Sequence, residues 1–365
     1  MLHKHIIVNQ LKEMIMKTKL LYLFIGFYSL SNLAQTTDKI TTDGTYTVPG
    51  GVSEITIEAW GGGGAGGTVL AGSSNVAAGG GGSGAYSQST ISVIPGEELD
   101  ITVGSGGTPD SRNSDPVDGK KSKVTRAGSS TDLIVAEGGK SVPGADNTSG
   151  AIGGLATNGT AKGTPSDKKD GRKGDDGTSS NPGNSGKGGD AHNVFDSDGN
   201  PVSTGGASVS TNSVGKSGKV PGGGGSGAAF SGSYANPGGK GAKGRVDITY
   251  TRIIQKTSGN FDVASNWNNG VLPSSTTNNF GAIKDGVTST LTGNETINYL
   301  TLESGSSVDL KNGNNLNIEG NLENNSQFTG SGEVILNGTS NQELSGGGTY
   351  SNLRLNNGGE IDING

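Results

Sequence analysis

Residues 59–87 are AWGGGGAGGTVLAGSSNVAAGGGGSGAYS, and this stretch decides the fold. A run of alternating apolar and polar residues, EITIEAW, ends at Trp60, and two glycine blocks follow it with no helix-forming segment between them. Gly62, Gly64 and Gly67 have the spacing G-x-G-x-x-G of a dinucleotide-binding turn. These glycines either hold a cofactor or form the scaffold itself.

A dinucleotide-binding turn needs a helix directly after its glycines and an acidic residue about 20 positions later. Here the next residues, TVLAGSS, soon contain another glycine, and no Asp or Glu lies between Glu58 and Glu97. We therefore predict a structural role for Gly62, Gly64 and Gly67. No nucleotide and no other cofactor is predicted.

Glycine is a building material throughout the chain, with 69 of the 365 residues, against a usual share of about 7%. Only 29% of the residues are apolar, so backbone hydrogen bonds must order much of the fold. Glycine recurs every third residue at Gly238, Gly241 and Gly244, but the period lapses too soon for collagen. The same period suits extended helices with three residues per turn, which predicts a polyglycine-II bundle.

The first 34 residues have the features of an export signal. Lys17 and Lys19 form its charged end, LLYLFIGFYSL its apolar core, and Ala34 is the small residue before the expected cut. The apolar run is too short to cross a bilayer. Met16 opens a signal of ordinary length, so we predict Met16 as the true start and residues 1–34 as the signal peptide.

Charge and residue inventory limit the function classes. Removal of residues 1–34 takes away four of the 27 basic and one of the 33 acidic residues, which moves the net charge from −6 to −9. This balance opposes nucleic-acid binding. The remaining chain has no Cys and one histidine, His192, which excludes thiol nucleophiles, disulfides and multi-histidine metal sites. No catalytic residue is predicted, and His192 is interpreted as an exposed loop histidine.

Short alternating runs bounded by glycine predict strands on both sides of the glycine blocks. They include ITIEAW, AYSQSTISV, ELDITVG, DLIVAEGG and GRVDITYT. No segment after residue 34 has the period of an amphipathic helix. We predict an all-β fold, with a β-sandwich anchored by Trp60 and a polyglycine-II bundle over residues 36–251.

The composition changes after residues 252–258, which are predicted as a linker. Asparagine then replaces glycine as the commonest turn residue, and the segments NYLTLESGSSVDL and SNLRLNNGGEIDI align. The alignment pairs Leu300 with Leu353 at an offset of 53 residues, and the other apolar pairs share this offset. Such an offset fits stacked coils. We predict an incomplete parallel β-solenoid over residues 259–365.

The sequence DSDGN begins like a calcium loop, with Asp196, Asp198 and Asn200 at alternate positions. However, Pro201 stands in place of the sixth-position glycine and Ala207 in place of the twelfth-position glutamate. A hairpin turn explains the same residues. The calcium site is rejected, and no metal is predicted.

The order of strand and glycine blocks over residues 41–251 resembles the glycine-rich domain of bacterial surface proteins and phage tail-fibre tip adhesins. The blocks are TYTVPGGVSEITIEAWGGGGAGG, GGGGSGAYSQSTISVIPGEELDITVGSGG, DLIVAEGG, PGGGGSGAAF and GGKGAKGRVDITYT. A related layout occurs in the extracellular region of anaplastic lymphoma kinase-type receptors. The resemblance implies a small β-sandwich with a polyglycine-II bundle, used as a rigid spacer or receptor-binding tip. Residues 111–126 and 156–187 depart from the pattern, because they are more charged.

The second part looks like the β-helical repeats of large secreted surface proteins from Gram-negative bacteria. The segment SGNFDVASNWNNGVLPSSTTNNFGAIKDG carries this resemblance. Trp267 and Pro273 match the opening motif of the family, while Phe261 stands where a tryptophan is usual. Such proteins are commonly exported by the type IX route, whose C-terminal sorting domain does not occur in this sequence. We therefore expect a truncated reading frame and a secreted or cell-surface location in a Gram-negative bacterium.

Three interpretations of the function stay open. We expect a non-enzymatic adhesin or structural protein, whose loops on a rigid scaffold bind glycans or other cell-surface ligands. The alternative is the non-catalytic part of an extracellular polysaccharide-degrading enzyme. A catalytic solenoid would gather acidic residues on one face, whereas Glu303, Asp309 and Glu323 are scattered along the sequence. The third interpretation is a matrix protein that self-associates through the edge of its solenoid.

Overall fold

A computed structural model describes residues 35–70, 76–110, 115–143, 167–178, 184–192, 203–229, 235–270, 272–273 and 280–364. The predicted signal peptide lies outside the described residues. Regular structure in the described part is β, apart from three single-turn 3-10 helices at Ala264–Asn266, Asn268–Gly270 and Lys311–Gly313. The predicted all-β class is confirmed.

Nine strands build the sandwich. They are β1 (Thr36–Ile40), β2 (Gly44–Thr47), β3 (Glu54–Trp60), β4 (Tyr86–Ser92), β5 (Glu98–Thr102), β6 (Ser122–Arg126), β7 (Asp132–Ala136), β8 (Asp167–Lys169) and β9 (Arg245–Tyr250). One antiparallel sheet has the order β1-β9-β3-β4-β8, and the other has the order β2-β5-β6-β7. Strand β3 shows why these residues form a sandwich. Ile55 and Ile57 point into the core shared by the two sheets, while Glu54 is exposed.

The glycine blocks leave the sandwich as extended helices that bond to one another. Along residues 61–69, successive amides point in three different directions. The directions repeat every third residue, as these N–H to C=O bonds show: Gly61 to Ala85, Gly64 to Gly82 and Gly67 to Gly79; Gly62 to Lys120; Gly63 to Ala242 and Gly66 to Gly239. A three-residue repeat, with every bond made between segments, is the pattern of a polyglycine-II bundle.

Residues 61–69 form the central helix of this bundle. They exchange backbone hydrogen bonds with six surrounding segments, which are 77–85, 104–108, 117–120, 138–142, 222–228 and 236–244. Six neighbours around one helix is hexagonal packing. Side chains on the central helix would separate the helices, so the glycines provide the close approach that these bonds require.

The bundle helices run alternately away from the sandwich and back. The central helix starts at the end of β3, and residues 77–85 return antiparallel to it and lead into β4. At the far end, isolated bridges join Val69 to Asn236 and Ala77 to Ala229. Nine residues with a rise of about 3.1 Å place this end about 28 Å from the sandwich.

Fourteen short strands build the solenoid. They are β10 (Ile254–Gln255), β11 (Gly259–Asn260), β12 (Phe280–Ile283), β13 (Thr288–Thr290), β14 (Glu295–Ile297), β15 (Tyr299–Leu302), β16 (Ser307–Leu310), β17 (Leu316–Ile318), β18 (Leu322–Asn324), β19 (Gln327–Gly330), β20 (Val334–Leu336), β21 (Gln342–Ser345), β22 (Leu353–Leu355) and β23 (Ile361–Asn364). They form three parallel sheets in the orders β10-β12-β15-β18-β21-β23, β11-β13-β16-β19 and β14-β17-β20-β22. The predicted parallel solenoid is confirmed.

The strand pairing of the solenoid disagrees with the predicted repeat of 53 residues. Leu300 pairs with Leu322 and Leu322 pairs with Leu344, which are two steps of 22 residues. Leu353 pairs with Val334 in a different sheet. The equivalence of Leu300 and Leu353 at 53 residues is therefore wrong, because that offset moves a residue from one solenoid face to another. Apolar strands recur on all three faces, so the sequence alone does not distinguish the faces.

The sandwich contacts the first sheet of the solenoid directly. Arg252 donates from Nε to the carbonyl oxygen of Gly50 at 2.8 Å and forms an ion pair with Glu303. A Cβ added at Gly50 would meet the side chain of Thr301 at 2.6 Å. The predicted linker, residues 252–258, contains β10, which pairs in parallel with β12. The two parts are therefore joined by bonded structure at this point.

Candidate functional site

Trp60 lies where the sandwich meets the bundle. It is the last residue of β3, is 2% exposed, and donates from Nε1 to the carbonyl oxygen of His192 at 2.7 Å. Its ring packs on Tyr86 with a centroid distance of 5.2 Å, and the Arg245 guanidinium carbon lies 4.7 Å from the ring centroid. These contacts connect β3, β4, β9 and the segment that contains His192.

The charges beside Trp60 are largely buried. Arg245 Nε lies 2.7 Å from Asp247 Oδ1, and Asp247 is only 4% exposed. Burial raises the pKa of Asp247, and the positive charge of Arg245 opposes this effect. The prediction that His192 is exposed is wrong: the residue is half-buried because its carbonyl oxygen is bonded to the buried Trp60. Burial together with the charges of Arg172 and Lys169 lowers its pKa. The junction is thus a cluster of buried and half-buried side chains in which the pKa of Asp247 is raised and the pKa of His192 is lowered.

Asp247 makes stability depend on pH. Because its pKa is raised on folding, the folded state keeps a proton that the unfolded chain has already released. The contribution is complete below the unfolded pKa of about 4 and is lost as pH rises through the folded pKa. We expect the stability of the wild type relative to Asp247→Asn to fall as the pH rises above the unfolded pKa of about 4. Urea unfolding at increasing pH measures it, and two parallel pH profiles would contradict the prediction.

The three glycines of the G-x-G-x-x-G spacing all lie in the central helix. A Cβ at Gly62 would overlap the carbonyl oxygen of Ser105, and a Cβ at Gly64 would overlap that of Lys140. At Gly67 it would instead meet side chains, with Ala78 Cβ at 2.9 Å. The amides of all three glycines already donate to backbone carbonyls. They have no N–H left for a phosphate.

Trp267 is the buried centre of the first solenoid coil. It is 0% exposed, and its Nε1 donates to the carbonyl oxygen of Phe261 at 2.7 Å. The ring of Phe261 meets it edge-on, with an interplanar angle of 82° and a centroid distance of 5.1 Å. Phe261 therefore supplies an aromatic partner at the position where the resembled family has tryptophan.

Two open clefts are candidates for ligand binding. A crevice of about 200 Å³ lies between the sandwich and the first solenoid sheet. Glu323 and Glu343 line it together with Thr47 and Gly96 of the sandwich. A second cleft, of about 280 Å³, lies beside β3 and β9 and is lined by polar residues that include Glu54 and Thr249. Sequence reasoning missed both clefts, because each joins residues that are distant in the chain.

No candidate metal site is found among the described residues. Asp196, Asp198 and Asn200 lie outside the described part of the chain. Within that part, no group of three or more His, Cys, Asp or Glu side chains is arranged to hold a metal ion. No helix among the described residues has the length and apolar character needed to span a membrane.

The sandwich and the bundle define a scaffold in which backbone hydrogen bonds replace much of a hydrophobic core. A family model described as a glycine-rich domain matches residues 37–251, which is more than half of the chain. The chain therefore belongs to the glycine-rich domain family. No curated protein matches the chain.

Proposed function

We propose that the chain is a secreted or cell-surface adhesin or structural protein of a Gram-negative bacterium, and that it presents binding loops on its glycine-rich scaffold. The observation that carries this proposal is the construction of the bundle. Its helices are held by backbone bonds to six neighbours around residues 61–69. Connections at the far end can therefore change in sequence without disturbing the scaffold.

The turn at Ser210–Ser213 illustrates such a connection. Thr211 and Asn212 have positive φ angles of 48° and 20°, and both are exposed. Ser210 bridges to Asn184, Ser213 bridges to Ala229, and Asn212 Oδ1 accepts the Asn236 side-chain amide at 2.9 Å, so the turn is held in place while Thr211 stays exposed. Rigid ends with exposed turns suit recognition, because little conformational entropy is lost on binding.

Surface labelling and adhesion test the proposal. We expect intact cells that express the full chain with a C-terminal epitope to be labelled by antibody and to adhere to glycan-coated or cell-coated surfaces. Replacing Thr211 with glycine should reduce adhesion without lowering the melting temperature, because the change keeps the Asn236–Asn212 hydrogen bond and glycine tolerates the positive φ. A matched change, Thr339→Gly at an exposed position of the solenoid, serves as the control. A chain that stays inside the cell would refute the location, and labelled cells that do not adhere would leave only the structural role.

The crevice between the sandwich and the solenoid favours one second candidate, a part of a polysaccharide-degrading enzyme. Glu323 and Glu343 are on neighbouring strands and line this crevice, and paired carboxylates are the groups that glycoside hydrolysis uses. Reducing-sugar release from neutral and acidic polysaccharides distinguishes the candidates. Release that Glu323→Gln and Glu343→Gln abolish would replace the adhesin proposal.

A further inference from the structure

Three bundle helices lie side by side on one outer flank of the molecule. The N–H of Lys120 donates to the carbonyl oxygen of Ser105 at 2.9 Å, which joins helix 117–120 to helix 104–108. The N–H of Gly244 donates to the carbonyl oxygen of Gly104 at 2.8 Å, which joins helix 104–108 to helix 236–244. The order on this flank is therefore 117–120, 104–108 and 236–244.

The three-residue period decides which side chains reach solvent on helix 236–244. Side chains at Gly238, Gly241 and Gly244 would point at the central helix, since an added Cβ overlaps the carbonyls of Gly66, Gly63 and Trp60. A Cβ at Gly239 would overlap the carbonyl of Lys216 on another neighbour. The third direction is left for Pro237, Lys240 and Lys243, and all three are exposed.

Helix 104–108 follows the same rule. An added Cβ at Gly104 or Gly107 would point at helix 117–120, and one at Gly106 would point at helix 236–244. Ser105 and Thr108 remain, and both are exposed. Lys120 is also exposed on the adjoining helix. We call this surface the lysine flank, defined by Lys120, Lys240, Lys243, Ser105 and Thr108.

The charge of the lysine flank is not neutralised. Among the other described lysines of the glycine-rich domain, Lys123, Lys140, Lys169, Lys173 and Lys187 form ion pairs, whereas Lys39, Lys121, Lys168, Lys216 and Lys219 form none with a described carboxylate. Lys120, Lys240 and Lys243 form no ion pair with any carboxylate of the described residues. Asp43 marks the sandwich end of the flank, where it accepts the N–H of Val103 at 2.7 Å. An unpaired basic surface on a chain with net charge −6 is a local exception.

We propose that the lysine flank binds an extended acidic polysaccharide, a ligand class that rests on the adhesin function proposed above. Lys240 and Lys243 are one helical turn apart, about 9 Å along the axis, which matches the length of a disaccharide unit. The ammonium groups meet carboxylate or sulfate groups of the glycan. Ser105 and Thr108 lie between the flanking lysine ridges and exchange hydrogen bonds with sugar hydroxyls.

The same geometry disfavours a nucleic acid. Duplex DNA carries one charge per about 1.7 Å of its axis, and three lysines at these spacings neutralise few of them. Single strands are bound by aromatic platforms, whereas the lysine flank consists of Lys, Ser and Thr. A sparse, regular anion with many hydroxyl groups fits the surface better.

Affinity electrophoresis of the full chain in gels that contain a polysaccharide tests the proposal. We expect retardation by polygalacturonate and hyaluronate, little by dextran, and a loss of retardation as NaCl increases. The variant Lys120→Gln/Lys240→Gln/Lys243→Gln should weaken binding about tenfold, since three exposed charge contacts are lost. Thr108→Glu, which keeps every lysine but adds a negative charge, should weaken it as well.

The control is Lys168→Gln/Lys256→Gln/Lys284→Gln, which changes the net charge equally at exposed lysines of β8 and of the solenoid. Equal weakening by this control, equal retardation by dextran, or tighter binding to DNA than to either acidic polysaccharide would overturn the proposal. Adhesion to cells without binding to acidic polysaccharides would overturn the ligand class and leave the adhesin function standing. Failure of both would remove the adhesin function too.

Discussion

Gly64→Val is expected to prevent the glycine-rich domain from folding. A Cβ at this position overlaps the backbone of Lys140, which is itself bonded in the bundle. The amide of Gly64 donates to Gly82 at 2.8 Å, and its carbonyl accepts the N–H of Gly225 at 2.9 Å. Because neither neighbour can retreat without losing bonds, we expect a cost above about 3 kcal/mol, a large part of a usual total of about 5–15 kcal/mol.

Two other glycines provide a graded control. Gly44→Val should change stability by less than about 0.5 kcal/mol, since an added Cβ at Gly44 meets nothing within 4 Å. Gly67→Ala should fall between the two, because its obstacles are side chains rather than backbone. Soluble yield and urea unfolding followed by circular dichroism measure the series. A Gly64→Val chain as stable as Gly44→Val would show that the bundle is not packed as described.

Trp60→Ala is expected to cost about 3–5 kcal/mol, as for other large aromatic residues removed from a core. The change removes the ring from Tyr86 and from Arg245 and leaves the His192 carbonyl oxygen without the indole N–H. It also removes the ring that covers the buried Arg245–Asp247 pair. Loss of these surroundings destabilises the two buried charges.

The fluorescence of the second tryptophan localises the damage. Trp267 is buried in the solenoid and reports on that part alone. In the Trp60→Ala chain we expect the Trp267 transition in urea to stay near its original midpoint, while circular dichroism shows early loss of the sandwich. Trp60→Phe keeps the ring and loses the hydrogen bond, so it should cost only about 1 kcal/mol. Equal effects of the Ala and Phe changes would show that the ring contacts contribute little.

The sequence predicts the main features of the fold because they depend on local properties. Alternation in EITIEAW defines β3, and the third-residue spacing of glycine at Gly238, Gly241 and Gly244 predicts the helix type. The solenoid is also evident from its short apolar strands. Its coil length is not, because a 22-residue step and a 53-residue offset both align leucines with leucines.

The candidate surfaces could not be predicted in the same way. Lys120 and Lys243 are more than a hundred residues apart in the chain, and they come onto one flank only because their helices both bond to helix 104–108. Composition shows an acidic protein and hides this local basic surface. The crevice with Glu323 and Glu343 likewise depends on how the sandwich meets the solenoid. Sequence patterns report which residues are exposed, and topology decides which of them become neighbours.

The central helix has a consequence for the order of folding. Residues 61–69 take partners from residues 77–85 and also from residues 236–242, so their contacts span much of the domain. Loops of that length must close before the bonds form, and high contact order makes folding slow. During synthesis from the N-terminus, residues 61–69 therefore stay exposed to water until the chain has been made as far as residue 244. The domain must assemble late and cooperatively, around a segment that was made among the first.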